Sequence, residues 1–264
     1  MLAVITGASA GIGAAFARKL GARGYDLILV ARREDRLRGL AQEIAGLNRV
    51  RVEPLVADLV AEDGVQKVAE FIQAAPGLGL LVNNAGFGTM GYFFEADVSG
   101  EDRMHKLHVL ATMRLTHAAL ANLVPKAQPG TGIINVSSVA AFASSPQNVS
   151  YGATKAWMNA FTQGLAVELA AQNSPVIVQA LCPGFTLSEF HDVLRMDRSR
   201  VPQFLWMTPD YVVKESLRGF SQRKLIVIPN WRYKALVEVM KIIPNSWMRG
   251  FTIAAARRYR KPKD

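Results

Sequence analysis

Hydrophobic positions along this chain fall into two alternating kinds of block. Short aliphatic and β-branched runs at 2–6, 26–31, 50–56, 78–83, 132–137 and 176–181 have the length of buried strands. Between them, residues 14–23, 34–45, 62–74, 101–123 and 151–171 repeat their apolar positions at helical spacing. Ser174-Pro175 breaks the last of these helices, and Asn148 or Ser150 is placed to cap its start. Further on, the pattern predicts a helix over 208–221, a last strand over 224–229 and a helix over 231–243 that Pro244 stops. Alternating strands and helices joined by short turns predict a parallel, doubly wound sheet in three α/β/α layers. No repeat or low-complexity linker interrupts it. Residues 1–264 are thus expected to form a single domain, with a core at 1–189 and a helical extension at 190–264.

Ligands on such sheets bind beyond the carboxyl ends of the strands. After the first strand, the turn Gly7-Ala-Ser9-Ala-Gly11-Ile12-Gly13 opens a helix, the Rossmann-like context of a dinucleotide cradle. Glycines permit the tight turn and let a pyrophosphate approach the backbone at the helix start. The second strand ends on Arg32-Arg33, where an acidic residue would read a free ribose 2′-hydroxyl. Two guanidiniums suit a 2′-phosphate instead, which favours NADP over NAD. The alternative is that both are solvated charges at the start of the next helix. Asp58-Leu59 can border an adenine, or Asp58 can cap the following helix. Asn83-Asn84-Ala85-Gly86, Ser138 and Pro183-Gly184 end the fourth, fifth and sixth strands, so six strand-end features converge.

Tyr151 and Lys155 lie four residues apart, on one face of a helix. An ammonium ~4 Å from a phenol at an effective dielectric of ~20 is worth ~4 kcal/mol, enough to lower a tyrosine pKa by up to roughly three units before desolvation opposes it. Tyr151 is then a candidate proton donor and acceptor, with the Ser138 hydroxyl able to meet it over a substrate oxygen. Taken alone, the same spacing fits an exposed helix face.

Composition narrows the classes. Half the residues are hydrophobic, no apolar stretch has the length of a membrane span, and no secretory signal pattern opens the chain. The single cysteine, Cys182, reads as a small buried residue and fits a reducing cytoplasm. The net charge of +10 is confined to one end: residues 1–189 hold 15 basic against 15 acidic side chains, residues 190–264 hold 16 against 6. No nucleic-acid module accompanies that charge, so nucleic acid is not expected as a partner. The stretch 246–259 mixes Trp247, Met248, Phe251 and Ile253 with Arg249, Arg257 and Arg258, which suits an interfacial helix on anionic lipid. A helix packed on the domain or on another subunit, or a basic tail, remains the alternative. The expected location is the cytoplasm, with peripheral contact at the inner face of a membrane as the further reading.

Together these motifs resemble the single-domain branch of the short-chain dehydrogenase/reductase family. Thr6-Gly7 with Gly11 and Gly13, Asn83 to Gly86, Ser138, Tyr151 with Lys155, and Pro183-Gly184 stand in the family's order over roughly residues 1–190. The resemblance implies an enzyme that passes hydride between a nicotinamide and a carbonyl or alcohol carbon. Tyr151 would exchange the proton, Lys155 would lower its pKa and bind the nicotinamide ribose, and Ser138 would hold the substrate oxygen. NADP(H) contacts would come from Gly7, Ser9, Gly11, Ile12, Gly13, Arg32, Arg33, Asp58, Leu59, Asn83, Ala85, Gly86, Tyr151, Lys155, Pro183 and Gly184, with backbone at Phe185 and Thr186 fixing the carboxamide. No metal is implied, and a homodimer or homotetramer would pack through 101–123 and 150–171.

One departure concerns the helix before the Ser138 strand. Where the family often carries an asparagine that holds a relay water, this chain has His108. Its two ring nitrogens either keep a proton relay in altered form or fill a helix interface. Selectivity in the family comes from the segment after Pro-Gly. Phe185, Leu187, Phe190, Phe204, Leu205, Trp206 and Met207, facing Phe87 and Met90, suit a hydrophobic carbonyl or alcohol there. The alternative function is a non-catalytic NADP(H)-binding sensor or scaffold on the same fold.

Overall fold

The computed structural model describes residues 1–126, 128–144, 146–190 and 201–243, with positions 247, 250 and 253. Its strands are β1 (Leu2–Thr6), β2 (Asp26–Ala31), β3 (Val52–Val56), β4 (Leu78–Asn83), β5 (Gly132–Val136), β6 (Ile177–Leu181) and β7 (Ile226–Val227). They form one sheet in the order β3-β2-β1-β4-β5-β6-β7, every pair parallel. Parallel neighbours require crossovers. These are supplied by α1 (Gly11–Gly21), α2 (Glu34–Leu47), α3 (Glu62–Ala74), α4 (Val98–His105) continuing into α5 (Thr112–Leu123), α6 (Val149–Ala171) and α7 (Pro209–Ser221). The helix α8 (Trp231–Ile242) follows β7.

Alternate residues of each strand feed opposite layers. Ala3 and Ile5 pack with Phe16, Leu20, Leu37, Ile44, Val212 and Phe220 on one side. Val4 and Leu81 pack with Val68, Ile72, Leu115 and Leu123 on the other. Covered on both faces, β4, β5 and β6 are buried along their whole length, which is why they read as continuous apolar runs.

The predicted pattern holds, with local differences. β3 starts two residues late and carries Pro54, tolerated because this edge strand pairs only with β2. β7 keeps two residues of the six expected, its ladder ending before Pro229, which has no N–H to donate. The helix expected over 101–123 starts at Val98, where the Asp97 side chain accepts from Ser99 N at 3.0 Å. It also widens into a π-helical turn at Lys106–Ala111, a feature that often marks functional positions. Asn148 precedes α6 without a side-chain capping bond, whereas Thr208 caps α7 by accepting from Tyr211 N. The interfacial-helix reading of 246–259 lies outside the described residues apart from positions 247, 250 and 253.

One residue of α8 locks the end of the sheet. The Tyr233 hydroxyl accepts from Phe185 N at 3.1 Å and donates to Leu205 O at 2.9 Å, joining the segment after β6 to the one before α7. The ring occupies the side-chain position of Gly184, where an added Cβ would lie 2.2 Å from it. The Phe185 N–H and Leu205 C=O are part-buried and a hydrogen bond contributes about 1 kcal/mol net, so Tyr233→Phe is expected to lower unfolding stability by roughly that amount in urea titrations. An unchanged midpoint would show that the hydroxyl ties nothing down.

Candidate active site

Because every strand is parallel, all carboxyl ends open on one edge, and the strand order reverses between β1 and β4. Thr6 joins the two sides of that crevice. Its hydroxyl donates to Val82 O at 3.3 Å and accepts from Asn84 N at 2.9 Å and Ala85 N at 3.0 Å. Asn84 answers by donating to Thr6 O and Gly7 O. The glycine turn is closed to side chains. Gly7 has φ +64°, and a Cβ on Gly13 would stand 2.3 Å from Gly7 O. Such a cradle lets backbone, and whatever lies on it, approach more closely than any other residue would allow.

The predicted cofactor residues divide. Arg33 donates to Ser9 Oγ through Nε and Nη2, at 3.2 and 3.0 Å, and to Glu189 through Nη1 at 2.7 Å. Arg32 faces Asp58 at 3.9 Å. Asp58 accepts from Val60 N and does not cap α3, whose N-cap is Ala61. Leu59 is buried in the core on one side of the sheet, and Ile12 is partly buried against the core on the other. The Asn83 amide turns into the sheet, donating to Thr116 Oγ1 at 3.0 Å and Asn135 Oδ1 at 2.9 Å, and Asn135 donates on to Thr162. Only the Asn83 backbone therefore faces the strand end. Pro183 O accepts from Val139 N at 3.0 Å. Both backbone groups of Phe185 are engaged, the N–H by Tyr233 and the carbonyl by Met207 N. The Thr186 hydroxyl bonds Gly184 O at 3.0 Å.

Ser138, Tyr151, Lys155 and His108 come together at the ends of β4 and β5. Ser138 Oγ accepts from Ala140 N at 3.1 Å and donates to Pro183 O at 3.5 Å, and its hydroxyl lies near enough to Tyr151 to act on the phenol. Lys155 is buried, with Nζ donating to Val136 O at 2.9 Å and lying 5.6 Å from the centre of the Tyr151 ring. The Tyr151 ring also packs edge-on against His108 and tilted against Phe190, at 5.8 and 5.7 Å between centres.

Electrostatics correct the expected tyrosine shift. Burial pushes Tyr151 up to about 12, only partly relieved by the Ser138 hydroxyl. Burial also draws Lys155 down to about 8, partly offset by Cys182. Desolvation therefore sets the direction, and Tyr151 holds its proton at neutral pH. His108 is fully buried, and burial followed by the Lys155 and His105 charges keeps it well below its ordinary value. The ring is neutral. Thr154 donates its hydroxyl hydrogen to Tyr151 O, so the 3.0 Å contact between His108 Nδ1 and Thr154 Oγ1 requires a hydrogen on Nδ1. Nε2 is then an acceptor, buried without a protein partner and facing Gly86, where an added Cβ would lie 2.7 Å away.

The apolar residues assigned to a pocket also separate. Phe87 and Phe190 flank the His108 and Tyr151 rings, and Phe185 packs tilted on Trp206. Leu187 and Met90 are exposed. Met207 is buried and Leu205 packs against the core, while Phe204 turns outward under the Arg232 guanidinium. Two residues of this region carried no motif. Tyr233 is a helical aromatic in no motif, and Glu189 is an isolated acid in an apolar segment, a signal only once Arg33 is known to face it.

Comparison with known proteins identifies the family. A family model described as short chain dehydrogenase matches residues 1–199. The 3-oxoacyl-acyl-carrier-protein reductase of Aquifex aeolicus is 32% identical over 194 residues, 73% of this chain and 77% of that one. A short-chain dehydrogenase from Sphingobium yanoikuyae, solved with NADPH, superposes with a TM-score of 0.82 at 34% identity, covering 92% of this chain and 96% of that one. A bulky-bulky ketone specific alcohol dehydrogenase from Comamonas testosteroni gives a TM-score of 0.78 at 31% identity, with 92% and 95% covered.

The depressed lysine has a measurable sign. Below about pH 8 the folded and unfolded chains both hold the Lys155 proton, and the fold bears the whole cost of the buried charge. From about 8 to ~10.4, the ordinary lysine value, the unfolded chain binds more protons and this group's contribution to stability rises with pH. Lys155→Met does not titrate there. Paired urea melts are expected to show its stability relative to wild type highest at neutral pH and declining from about pH 8 upward. A difference that stays constant with pH would contradict a depressed lysine.

Proposed function

The chain belongs to the short-chain dehydrogenase family of oxidoreductases, and on that premise we propose that it transfers hydride between NADP(H) and the carbonyl or alcohol carbon of a hydrophobic substrate. The observation that carries this is a buried Lys155 bonded to Val136 O beneath the Tyr151 ring, with Ser138 beside it, at the mouth of a side-chain-free glycine cradle. The residues fit a dinucleotide. Gly7 and Gly13 leave room for a pyrophosphate against backbone, and Arg33 with Ser9 offers donors of the kind that hold a 2′-phosphate. The nicotinamide supplies the hydride.

The chain's own groups do the rest. Tyr151, protonated at neutral pH, donates to the carbonyl oxygen as charge develops there, and Ser138 orients that oxygen. Lys155, with a pKa of about 8, remains cationic and stabilises the phenolate left behind. His108 Nε2, buried without a protein partner, offers a relay acceptor in place of the family's asparagine, and Thr186 takes the carboxamide role because the Phe185 backbone is engaged. Phe87 and Phe190 form apolar walls beside the tyrosine, and the relative solved from Comamonas testosteroni is described as specific for bulky ketones. Tyr151→Phe is expected to lower kcat/KM for such a ketone by roughly 10²–10⁴, the value of a positioned acid, while NADPH binding stays within about twofold. Full activity in the variant would overturn the mechanism.

The same reading extends to where the protein works. Among the described residues no helix is long and apolar enough to cross a membrane. On α8, however, Tyr233 and Val237 face the domain while Trp231, Leu236, Val239 and Ile242 are exposed. The stripe lies in the part of the chain that carries the whole basic excess, so its occupant is an anionic lipid surface. Exposed Leu110, Met113 and Val167 on the π-helical turn, α5 and α6 offer a separate face for a subunit contact. Protein is expected to co-sediment with phosphatidylserine vesicles, less so in high salt, and to lose binding with Trp231→Glu and Ile242→Glu together. No sedimentation, or dissociation of an oligomer by the double variant, would reassign the stripe.

A further inference from the structure

Glu189 lies just beyond the segment that follows β6, 156 residues from Arg33, yet its carboxylate sits at the adenosine end of the crevice. Oε2 accepts from Arg33 Nη1 at 2.7 Å, and Oε1 accepts from Arg36 Nη1. Arg33 reaches Ser9 with the rest of its fork, so one carboxylate occupies the outer side of the guanidinium pair that faces the glycine turn. The neighbouring residue lies on that turn. A Cβ on Gly11 would stand 3.0 Å from Ser188 Cβ. On the other side Phe190 touches the Tyr151 ring.

We propose that Glu189 is a cofactor-discriminating residue whose carboxylate competes with the dinucleotide 2′-phosphate for Arg33 and Arg36. This rests on the NADP(H) reading of the site. A carboxylate and a phosphate each accept the paired N–H bonds of arginine's planar fork, and two anions on one guanidinium repel each other. The Glu189 contact is half exposed on both partners, so it is weak enough to exchange for a phosphate carrying more charge. Arg33 and Arg36 hold the Glu189 carboxyl below its ordinary range, so it is ionised and competes throughout the neutral region. A dinucleotide without the 2′-phosphate leaves the contact in place. One with it releases the 186–190 segment from the arginines, and with it the Phe190 ring beside Tyr151. Recognition of the phosphate and placement of a substrate-side wall are thereby linked through one acidic residue.

The test is a calorimetric titration of wild type, Glu189→Gln and Glu189→Ala with 2′,5′-ADP and with 5′-AMP, thermal melts confirming the fold of each variant. Both variants are expected to bind 2′,5′-ADP about fivefold tighter than wild type, the size of an exposed ion pair, with 5′-AMP affinity unchanged. The gain is expected to shrink in high salt, where exposed charges are screened. A wild-type preference for 2′,5′-ADP that neither variant alters overturns the proposal and leaves the NADP(H) reading standing. Equal binding of the two nucleotides by all three proteins overturns both. Weaker 5′-AMP binding in the variants would instead make Glu189 a reader of the ribose hydroxyls, and also overturns the proposal.

Discussion

A lysine ammonium buried against a strand-end carbonyl, Lys155 Nζ on Val136 O, sets the terms for the rest of the site. It fixes the face of α6 that meets β5, and so places Tyr151, one helical turn earlier, beside Ser138. Burying a cation costs stability that no apolar substitute would cost, and folds retain such groups chiefly where they act. The neighbours share the arrangement. Ser137 donates to Lys155 O at 3.0 Å and Cys182 lies close enough to couple to the lysine charge. Cys182 itself is buried, with its thiol pushed up to about 12.

Around that ammonium, desolvation is the dominant force. It raises the phenol, lowers the lysine and keeps the imidazole neutral. The three effects act in one direction, towards a site with a firmly held tyrosine proton and a single weakly held ammonium proton. Hydrogen bonds then fix which atoms face inward. Thr154, tied to Tyr151 O, determines the His108 tautomer and so leaves an acceptor at Nε2. The widened turn at Lys106–Ala111 carries that histidine into the buried face.

Much of this was legible in the sequence because it depends on local rules. Continuous apolar runs gave β4 through β6, since parallel central strands are covered on both faces. The glycine turn, Asn84, Ser138 and the Tyr151–Lys155 spacing gave the crevice, since strand ends in such sheets share one edge. What spacing conveys poorly is the balance between attraction and burial. A four-residue separation promised a lowered tyrosine pKa, and enclosure by His108, Phe190 and the sheet reversed the sign. Side-chain direction at a strand end was equally hidden. Asn83 sits on the ligand edge by number, yet bonds Thr116 and Asn135 inside the sheet. Contacts between distant segments, Glu189 with Arg33 and Tyr233 with Phe185, leave no periodic trace at all.

The central claim is that a proton held by Tyr151 accompanies a hydride delivered over the glycine cradle. It is tested most directly by isotope transfer. The protein, incubated with a panel of hydrophobic ketones and NADPH carrying deuterium at either face of nicotinamide C4, is predicted to yield an alcohol with one deuterium on the carbinol carbon, from one face only. Deuterium lost to water, or binding of NADPH with no labelled alcohol from any ketone, would contradict it.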